Sequence, residues 1–600
     1  MRFTFALISV LILSVLDINA QTSNIRKGSG RCQTAKRPPN ILFFLVDELR
    51  YPVVYETPDL QQWSQQNLTT MNFLRNNGVN FINHYVGATA CTASRATLFT
   101  GQYPTLHGVS QTDGAAKSAS DSTMYWLSPN SVPTAGNIFL AGQYNTYYIG
   151  KWHISHDDLY NPGTQEPVLS YNQTTGVPDT QLQNVYNSAN MLGPFGFNNG
   201  WIGPEPHGSD PHQSGASAAI GISGRDVFFA DETISLLQQL DAQGASNTPP
   251  WLIVCSFVNP HGIALYGETT KNFPAFNFAI DSSLDNVSVP PAPTADEDLS
   301  SKPTAQSSYQ TQYQIAFQDT QDTVEYRKLY YSLQKTVDYQ MGRVLNALLN
   351  SSFSNNTIVV FTSDHGDLLG AHANFQKWFN MYEESIHVPL AFYSPTLLPQ
   401  GVTVDLITSH VDILPTLCGL ANINVNQITN AFQSSYTNSR TLVGRNLSNV
   451  VLGTATTAEI QSLETPILFM TYDQILTGQY MQNPLGQSYD YVSQPAFINA
   501  VITNLDGAFW KFAAYFTNTN FTNVPLSCTC STAITSEDTQ YEMYNLSADP
   551  IETTNLANSS NPYLQMIQAQ LLVLLLQQLN QKALQPTDSQ PYIPIIPPPS

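Results

Sequence analysis

Charged side chains are scarce in this sequence, and basic ones most of all. Of 600 residues, 23 are Lys or Arg and 44 are Asp or Glu, so the formal charge at pH 7 is −21. Binding to nucleic acid requires clustered basic residues, and no basic stretch is long enough to offset this acidic background. The composition therefore predicts that the protein has no nucleic-acid partner.

Cysteine is rare as well, since the chain has only six, and this number excludes a dense disulfide framework. One residue separates Cys528 from Cys530, which is too close for a comfortable bond between the two. The pairing of the cysteines other than Cys91 stays open, and these are Cys32, Cys255, Cys418, Cys528 and Cys530.

Apolar runs of about 20 residues, the length of a membrane-spanning helix, are missing too. The run Leu571–Leu576 is flanked by glutamines, and the run Phe3–Leu16 is too short to serve as an anchor. Arg2 precedes this second run and Ile18–Ala20 resembles a cleavage site, so residues 1–20 are predicted to be a secretory signal.

Asn-x-Ser/Thr sequons accompany this signal, and they are acceptors for N-linked glycans on exported proteins. We therefore expect a secreted or lumenal glycoprotein of the secretory pathway, with the lysosome as one destination. The sequons begin at Asn67, Asn172, Asn286, Asn350, Asn355, Asn446, Asn520, Asn545 and Asn558.

What the chain does contain is enough apolar material for large cores. Hydrophobic residues make up 42% and aromatic residues 11%, which is typical of a folded globular protein. Because single cores rarely grow beyond about 300 residues, we expect two domains. They are predicted at 38–454 and 455–584, with a flexible segment at 21–37 and a Pro-rich mobile tail at 585–600.

Four apolar runs, each predicted to be a strand, lead into polar residues at their carboxyl ends. In a parallel sheet these ends meet at one edge, where α/β enzymes place their ligands. The four are Ile41–Val46 before Asp47 and Glu48, Tyr147–Ile149 before Lys151 and His153, Trp251–Val258 before His261, and Ile358–Thr362 before Asp364 and His365. Lys377 follows the last of them at a short distance along the chain.

The predicted fold class is α/β, with a mainly parallel, mixed central sheet flanked by helices in the large domain. Apolar residues from Leu329 to Leu348 recur at helical spacing and predict a core helix. The smaller domain is predicted to have an antiparallel sheet, with a hairpin at Asn504–Gly507, and a helix at Pro562–Ala583. The polar loop at 155–220 and the segment at 262–320 are expected to shape a substrate pocket.

The stretch Cys91-Thr92-Ala93-Ser94-Arg95 is the most informative part of the sequence. Helical spacing would place Cys91 and Arg95 on one side of a turn, with Cys91 near the start of the helix. A helix N-terminus and an arginine both favour oxyanions at this point. A lone cysteine is usually a buried structural residue or half of a disulfide, so the thiol alone does not identify a site.

The longer stretch around Cys91 is what identifies a site. Cys91–Arg95 followed by Thr100-Gly101 and Tyr103-Pro104 resembles the signature of the formylglycine-dependent sulfatases of the alkaline phosphatase superfamily. Ala93 stands where that family usually has Pro. Further motifs are similar to the family's in the same order, from Asn40 to about Ala557, and the pair Asp364-His365 resembles the branch of choline sulfatases and phosphonate monoester hydrolases. These motifs are Lys151-Trp152-His153, Asn259-Pro260-His261, Asp364-His365-Gly366 and Asp549-Pro550-x-Glu552.

The resemblance implies a role for each matching residue and an alkaline-phosphatase-like catalytic domain. Cys91 would be converted to formylglycine by the formylglycine-generating enzyme, and its hydrate would be the nucleophile. One divalent metal, Ca²⁺ with Mn²⁺ as the alternative, would be bound by Asp47, Glu48, Asp364, His365 and an oxygen of residue 91. Arg95 would orient the hydrate, Lys151 would neutralise the sulfate, His153 would accept a proton, and His261 and Lys377 would bind sulfate, one of them protonating the leaving oxygen.

The expected function is hydrolysis of sulfate monoesters by a secreted sulfatase. A phosphonate monoester or phosphodiester hydrolase of the same superfamily is the alternative, and a catalytically inactive binding protein is a third reading. The sequence names neither the alcohol (aryl, choline or sugar) nor the oligomeric state.

Overall fold

The structure is a computed structural model that describes residues 37–164, 166–206, 212, 224–266, 279–317, 320–483, 485–517 and 538–587. Strands lie at β1 Asn40–Asp47, β2 Val79–Phe81, β3 His84–Tyr85, β4 Asn145–Gly150, β5 Trp251–Pro260, β6 Thr357–Ser363, β7 Leu390–Tyr393, β8 Val402–Val404, β9 Thr408–Ser409, β10 Ile467–Thr471, β11 Phe497–Leu505, β12 Ala508–Phe516 and β13 Gln540–Asn545.

The α-helices lie at α1 Pro58–Asn67, α2 Thr69–Asn77, α3 Cys91–Thr100, α4 Pro104–His107, α5 Ala135–Ala141, α6 Thr180–Ala189, α7 Arg225–Gln243, α8 Thr304–Ala316, α9 Val324–Leu349, α10 Glu383–Ile386, α11 Ile413–Leu420, α12 Val425–Phe432, α13 Ser448–Val451, α14 Thr457–Leu463 and α15 Pro562–Lys582. Short 3₁₀ helices lie at Gly193–Phe195, His261–Leu265, Ser282–Leu284, Leu299–Ser301, Ser354–Asn356, Ala371–Ala373 and His410–Asp412.

The four apolar runs are neighbours in one sheet, whose order in the described residues is β4-β5-β1-β6-β7-β2-β8. β4, β5, β1 and β6 are parallel, and β7 is antiparallel to β6. Every residue of β1, β5 and β6 is buried, as expected for strands covered on both faces. Their carboxyl ends therefore meet at one edge of the sheet, as the sequence predicts.

Helices cover the sheet, and α9 is the core helix predicted from its apolar spacing. Its buried residues include Leu329, Val337 and Leu348, and it packs against α7 and β5. The prediction that β5 ends at Val258 was wrong, because the strand continues to Pro260 and brings His261 directly onto the sheet edge.

A second sheet in the described residues contains β10, β11, β12 and β13, all antiparallel. Leu505 pairs with Ala508, and both intervening turn residues, Asp506 and Gly507, have positive φ, at 51° and 78°. Positive φ at both positions is the geometry of a type I′ turn, so the predicted hairpin is confirmed. α15 packs on this sheet. The predicted fold class is therefore confirmed.

The described residues from Pro38 onward form one compact unit, and the boundary predicted between residues 454 and 455 stays a prediction. No helix in the described part of the chain is long and apolar enough to cross a membrane. The signal at 1–20, Cys32, Cys528, Cys530, Asn520 and most of the predicted tail lie outside the described residues.

The prediction of one long loop at 155–220 was wrong in part, because α6 lies inside it. The Asp179 side chain caps this helix by accepting hydrogen bonds from the amides of Gln181 and Leu182. Asn and Gln dominate α6 and hide its helical pattern, and Tyr186 is its one buried residue.

Candidate active site

The candidate active site begins at the N-terminus of α3, with Cys91 as its first residue and Arg95 one turn later. Every side chain of this helix is buried, so the thiol lies inside the protein and not at its surface. Ser94 fixes the helix to the end of β6, because its hydroxyl donates to the carbonyl of Asp364 at 2.5 Å. The spacing of Cys91 and Arg95 thus has the consequence predicted from the sequence.

Arg95 joins the carboxyl ends of four parallel strands. Its Nε donates to Asp364 Oδ2 at 2.7 Å, and one terminal nitrogen donates to Asp47 Oδ2 at 3.2 Å. The other terminal nitrogen donates to the carbonyl of Lys151 at 2.7 Å and to Ser256 Oγ at 3.0 Å. Because the guanidinium is fully buried and each of its three nitrogens donates a hydrogen bond, it holds these strand ends in fixed positions.

The remaining oxygens of the two aspartates face an imidazole. His365 Nε2 lies 3.7 Å from Asp47 Oδ1 and 3.7 Å from Asp364 Oδ1. The same nitrogen lies 3.0 Å from the Cys91 sulfur, and His365 Nδ1 lies 2.9 Å from the carbonyl of Gly366. Nδ1 therefore donates to this carbonyl, which leaves the Nε2 lone pair directed at the carboxylates, as in metal-binding histidines.

Lys151 supplies a second buried cation to Asp47. Its Nζ donates to Asp47 Oδ2 at 2.5 Å, the oxygen that Arg95 also contacts. Burial alone would raise the pKa of Asp47, but Lys151, His261 and Arg95 together hold that pKa well below its usual range. The Asp47 carboxylate is thus ionised over the whole working pH range of most proteins.

Glu48 has a different environment from Asp47 although the two are adjacent in sequence. Its Oε1 lies 2.9 Å from Lys377 Nζ, and its Oε2 lies 3.9 Å from His261 Nε2. Burial raises the pKa of Glu48 well above its usual value, although Lys377 opposes this effect. Burial and the positive charge of Lys151 lower the pKa of His261. His261 and Lys377, the two residues predicted to bind sulfate, thus both lie next to Glu48.

His153 lies between a carboxylate and the cysteine. Its Nε2 is 2.6 Å from Asp113 Oδ1, and the ring also hydrogen-bonds with the Cys91 side chain. Burial lowers the pKa of His153, but Asp113 more than offsets this and the net shift is upward. The backbone amides of Trp152 and His153 both donate to the Glu205 carboxylate, which fixes this segment at the end of β4.

Asp226 at the start of α7 has the corresponding role for the end of β5. It accepts hydrogen bonds from the amides of Val258 and Asn259 at 2.7 and 3.0 Å and from the Asn259 side chain at 2.9 Å. Burial raises the pKa of Asp226 to about 6. Its contacts fix the turn that leads into His261.

The structure thus places all the site residues predicted from the sequence in one connected set of side chains, which are buried except for the half-buried His261. Asp47, Cys91, Asp364 and His365 form a group whose possible ligand atoms lie within 4.8 Å of one another, and Asp47 with Glu48 and His261 forms a second. Sequence reasoning missed three carboxylates that position the motifs, and these are Asp113, Glu205 and Asp226. Each of them lies far in sequence from the residue to which it hydrogen-bonds.

Two other described cysteines provide a contrast to Cys91. Cys255 in β5 and Cys418 in α11 are free and buried. Burial raises the pKa of both thiols, to about 12 for Cys418, and neither contacts the cations of the site in the described residues. Of the three described cysteines, Cys91 is therefore the one that lies among the charged side chains of the candidate active site.

A comparison with protein families matches residues 39–423 to the family described as Sulfatase. The chain belongs to the sulfatase family. This assignment makes it a sulfuric ester hydrolase. The matched segment contains the whole candidate site.

Curated relatives agree with this assignment. The chain is 28% identical to the uncharacterized sulfatase YidJ of Escherichia coli over 401 residues, which cover 65% of this chain and 69% of the relative. It is 26% identical to the Delta 4,5-hexuronate-2-O-sulfatase of Bacteroides thetaiotaomicron over 407 residues, covering 66% and 71% of the two chains.

Solved structures show that this sulfatase has the fold of its family. A 2-O glycosaminoglycan sulfatase superimposes with a TM-score of 0.58 at 20% identity, covering 91% of this chain and 93% of the other. The phosphonate monoester hydrolase of Agrobacterium radiobacter gives a TM-score of 0.54 at 19% identity, covering 90% and 96%. The fold is thus common to enzymes of both chemistries.

Proposed function

We propose that this protein hydrolyses sulfate monoesters to an alcohol and inorganic sulfate, with residue 91 acting as a formylglycine hydrate. The observation that carries the proposal is the position of the Cys91 sulfur, 3.0 Å from His365 Nε2 and within the group formed by Asp47 and Asp364. Around this group lie the buried cations Arg95, Lys151 and Lys377. A sulfate ester is an anion that gains charge at the leaving oxygen during cleavage, and this arrangement suits that demand.

The donor set fits one divalent metal. Asp47 Oδ1, Asp364 Oδ1 and His365 Nε2 converge, and their outer atoms are held by Arg95 and by the backbone of Gly366. These residues, an oxygen of residue 91 and the neighbouring Glu48 would hold the ion. Oxygen donors favour Ca²⁺, and the imidazole makes Mn²⁺ the alternative. When bound, the metal would supply positive charge to the transferring sulfate.

In the first step, one hydroxyl of the residue 91 hydrate gives its proton to the neighbouring Asp47 carboxylate and attacks sulfur, and the bond from sulfur to the alcohol oxygen breaks. Arg95 holds the carboxylates that surround residue 91, and Lys151 offsets the negative charge of the sulfate. His261 or Lys377 donates the proton that the leaving oxygen needs. The products of this step are the free alcohol and a sulfate ester of residue 91.

In the second step, the other hydroxyl of residue 91 loses its proton to His153, which Asp113 keeps in position. The carbon–oxygen double bond of the aldehyde forms again, and the bond from carbon to the sulfate oxygen breaks. Inorganic sulfate leaves, and water then hydrates the aldehyde. A serine in this position would have only one hydroxyl and would require water to attack sulfur.

Secretion and N-glycosylation belong to the same proposal. Eight of the nine sequon asparagines lie in the described residues, and none of these eight is buried. Asn67 and Asn545 are half-buried, and the other six are exposed. Glycans could therefore be attached at any of the six without unfolding the protein.

The test is an assay of the purified protein on aryl, choline and sugar sulfates, made with the formylglycine-generating enzyme present. We expect turnover by the wild type and by Cys418→Ala, whose thiol lies outside the site, and a loss of at least a thousandfold in Cys91→Ala. If Cys91→Ala retains full activity, covalent catalysis by residue 91 is wrong. If no sulfate ester is turned over and one is bound, the protein is a binding protein.

Hydrolysis of phosphonate monoesters or phosphodiesters is a second candidate function. The similarity of fold to the phosphonate monoester hydrolase favours it, together with the imidazole of His365 in the group of possible metal ligands. Aryl sulfate and phenylphosphonate monoesters should be compared at equal concentration. A higher kcat/KM for the sulfate supports the main proposal, and a large preference for the phosphonate replaces it.

A further inference from the structure

A third group of possible metal ligands lies between the β6–β7 connection and the chain that follows β13, away from the two groups of the candidate active site. His372 and Glu384 belong to the connection, which also carries Lys377, and Glu552 comes after β13. One possible ligand atom from each of His372, Glu384 and Glu552 lies within 4.8 Å of the others. All three residues are buried, with exposures of 0%, 3% and 0%.

His372 has one satisfied and one unsatisfied ring nitrogen. Its Nδ1 lies 2.6 Å from Glu297 Oε2, so it donates a proton to this carboxylate. Its Nε2 is buried and has no hydrogen-bond partner among the described residues, and it points towards Glu384 Oε2 at 3.8 Å. The ring stacks on Tyr382 with centroids 3.5 Å apart, which fixes its orientation.

Neighbouring groups hold both carboxylates in position. Glu384 Oε1 accepts a hydrogen bond from the Tyr55 hydroxyl at 2.8 Å, and Glu552 Oε2 accepts one from the amide of Glu383 at 2.8 Å. Lys511 Nζ lies 2.7 Å from Glu552 Oε1 and 3.0 Å from Glu383 Oε1. The Glu384 carboxylate is therefore oriented through one oxygen, and the Glu552 carboxylate is oriented through both, with Lys511 as the partner of Oε1.

We propose that His372, Glu384 and Glu552 bind a Zn²⁺ ion at a structural site separate from the catalytic centre. One imidazole nitrogen and two carboxylate oxygens are donors that Zn²⁺ accepts. The contact of Glu297 with Nδ1 is the outer partner that a metal-binding imidazole requires, because it directs the Nε2 lone pair to the metal.

The charges of the cluster favour a further cation. Four carboxylates, those of Glu297, Glu383, Glu384 and Glu552, share the ammonium groups of Lys302 and Lys511 and the imidazole of His372 in these ion pairs. A bound Zn²⁺ would add positive charge among them, and Lys511 would remain paired with Glu383. The ion would connect the segment that carries Lys377 to the chain beyond β13, and it would thereby stabilise the position of Lys377.

The test measures zinc in the full-length protein. Protein stripped with a chelator is saturated with Ca²⁺, incubated with Zn²⁺ and freed of unbound metal, and zinc is then counted by mass spectrometry. We expect His372→Gln and Glu552→Gln to bind one zinc ion fewer per chain than the wild type. His387→Gln is the matched control, because both nitrogens of His387 are already hydrogen-bonded, to Glu383 and to the carbonyl of Ile82.

Asp364→Asn, which alters the catalytic centre, should retain the zinc ion that His372→Gln loses. Zinc should also raise the melting temperature of the wild type and leave that of His372→Gln unchanged. Equal zinc binding by the wild type and both variants, measured on folded protein, would overturn the proposal and leave His372 as an ion-pair partner of Glu297. If either variant does not fold, the wild type still tests the proposal. Wild-type protein that binds no zinc under these conditions would overturn the proposal without any variant.

Discussion

At the scale of single residues, Arg95 positions the charges on which the other site residues depend. Its guanidinium contacts Asp47 and Asp364 and the ends of β4 and β5 from a fully buried position. These four hydrogen bonds come from one rigid plane of N–H donors, and the single ammonium of a lysine cannot make them together.

We therefore expect Arg95→Lys to lower kcat/KM for a sulfate ester by about a hundredfold or more, because small displacements of reacting groups are costly. Circular dichroism should show a folded protein, since the positive charge is retained. Arg343→Lys is the control, because Arg343 pairs with Asp231 at the surface. Activity within twofold of the wild type in Arg95→Lys would contradict the role given to the guanidinium.

Asp113 is the second residue whose role can be measured directly. It raises the pKa of His153 against the effect of burial, so removing its charge should lower that pKa. In the proposed mechanism His153 acts as a base, and activity rises as pH passes its pKa from below.

Asp113→Asn should therefore move the acidic limb of the kcat profile to lower pH and reduce kcat by about 10- to 100-fold. Asp121→Asn provides the comparison, since Asp121 accepts from Thr123 and Gln479 and not from His153. The full pH profile of each variant is the measurement. An acidic limb that stays in place in Asp113→Asn would show that Asp113 does not govern His153.

At the scale of secondary-structure elements, the polar strand ends could be predicted from sequence. The distant carboxylates that hydrogen-bond to those strand ends could not. The four apolar runs and the polar residues behind them are local patterns, and parallel pairing brings them to one edge. Glu205 reaches back 53 residues to the amide of Trp152, and Asp226 reaches 32 residues to Val258. Such contacts depend on how the loops fold, and no local pattern marks them.

Helix α6 shows a different limit. It has a capping aspartate, Asp179, but only Tyr186 is buried along it, so no apolar stripe reveals the helix. The end of β5 was missed for a related reason, because Asn259 and Pro260 look like turn residues. Proline is tolerated there because the pairing with β1 is irregular at this point, where the register shifts between Val46 and Asp47.

The packing of α2 against α9 provides a test at this scale. Asp338 of α9 accepts hydrogen bonds from the amides of Thr70 and Met71 at the start of α2. Burial raises the pKa of Asp338 to about 6, although those amides oppose the shift. The native state thus binds this proton more tightly than the unfolded state, and the contribution of Asp338 to stability falls as pH rises from about 4 to 6.

Asp338→Asn should remove this dependence, so the change in unfolding free energy between pH 4 and pH 7 should differ from that of the wild type by up to about 3 kcal/mol. Urea unfolding at several pH values in this window measures it. Asp59→Asn, at an exposed position, is the control. Parallel curves for the wild type and Asp338→Asn would contradict the raised pKa.

At the scale of the whole molecule, buried charges join the C-terminal antiparallel sheet to the rest of the fold. Lys511 of β12 donates to the carbonyl of Met381 and pairs with Glu383, and Lys302 donates to the Tyr544 hydroxyl of β13. The Lys511 contacts bridge the sheet and the connection that carries Lys377, and the Lys302 contact bridges the sheet and the segment before α8. The family resemblance extends to Glu552, in the same network, although the family match itself ends at residue 423.

Removal of metal should affect the whole molecule through the candidate catalytic centre. Without a cation, Asp47 and Asp364 face His365 with fewer positive charges nearby, so we expect chelation to abolish activity and lower the melting temperature. A ligand at a hundred times its Kd stabilises by about 2.7 kcal/mol, and Ca²⁺ or Mn²⁺ should restore the loss. Scanning fluorimetry with and without each ion tests this. Unchanged activity after complete removal of metal would contradict the proposed metal centre.

The chemical state of residue 91 is the central claim, and peptide mass spectrometry tests it most directly. Protein made with the formylglycine-generating enzyme is digested, and the peptide that contains residue 91 is weighed. The account predicts the mass of an aldehyde in place of the thiol, and a Cys91→Ser variant that lacks this mass and has lost sulfatase activity. A peptide that carries only the unmodified thiol, from a preparation that hydrolyses sulfate esters, would contradict it.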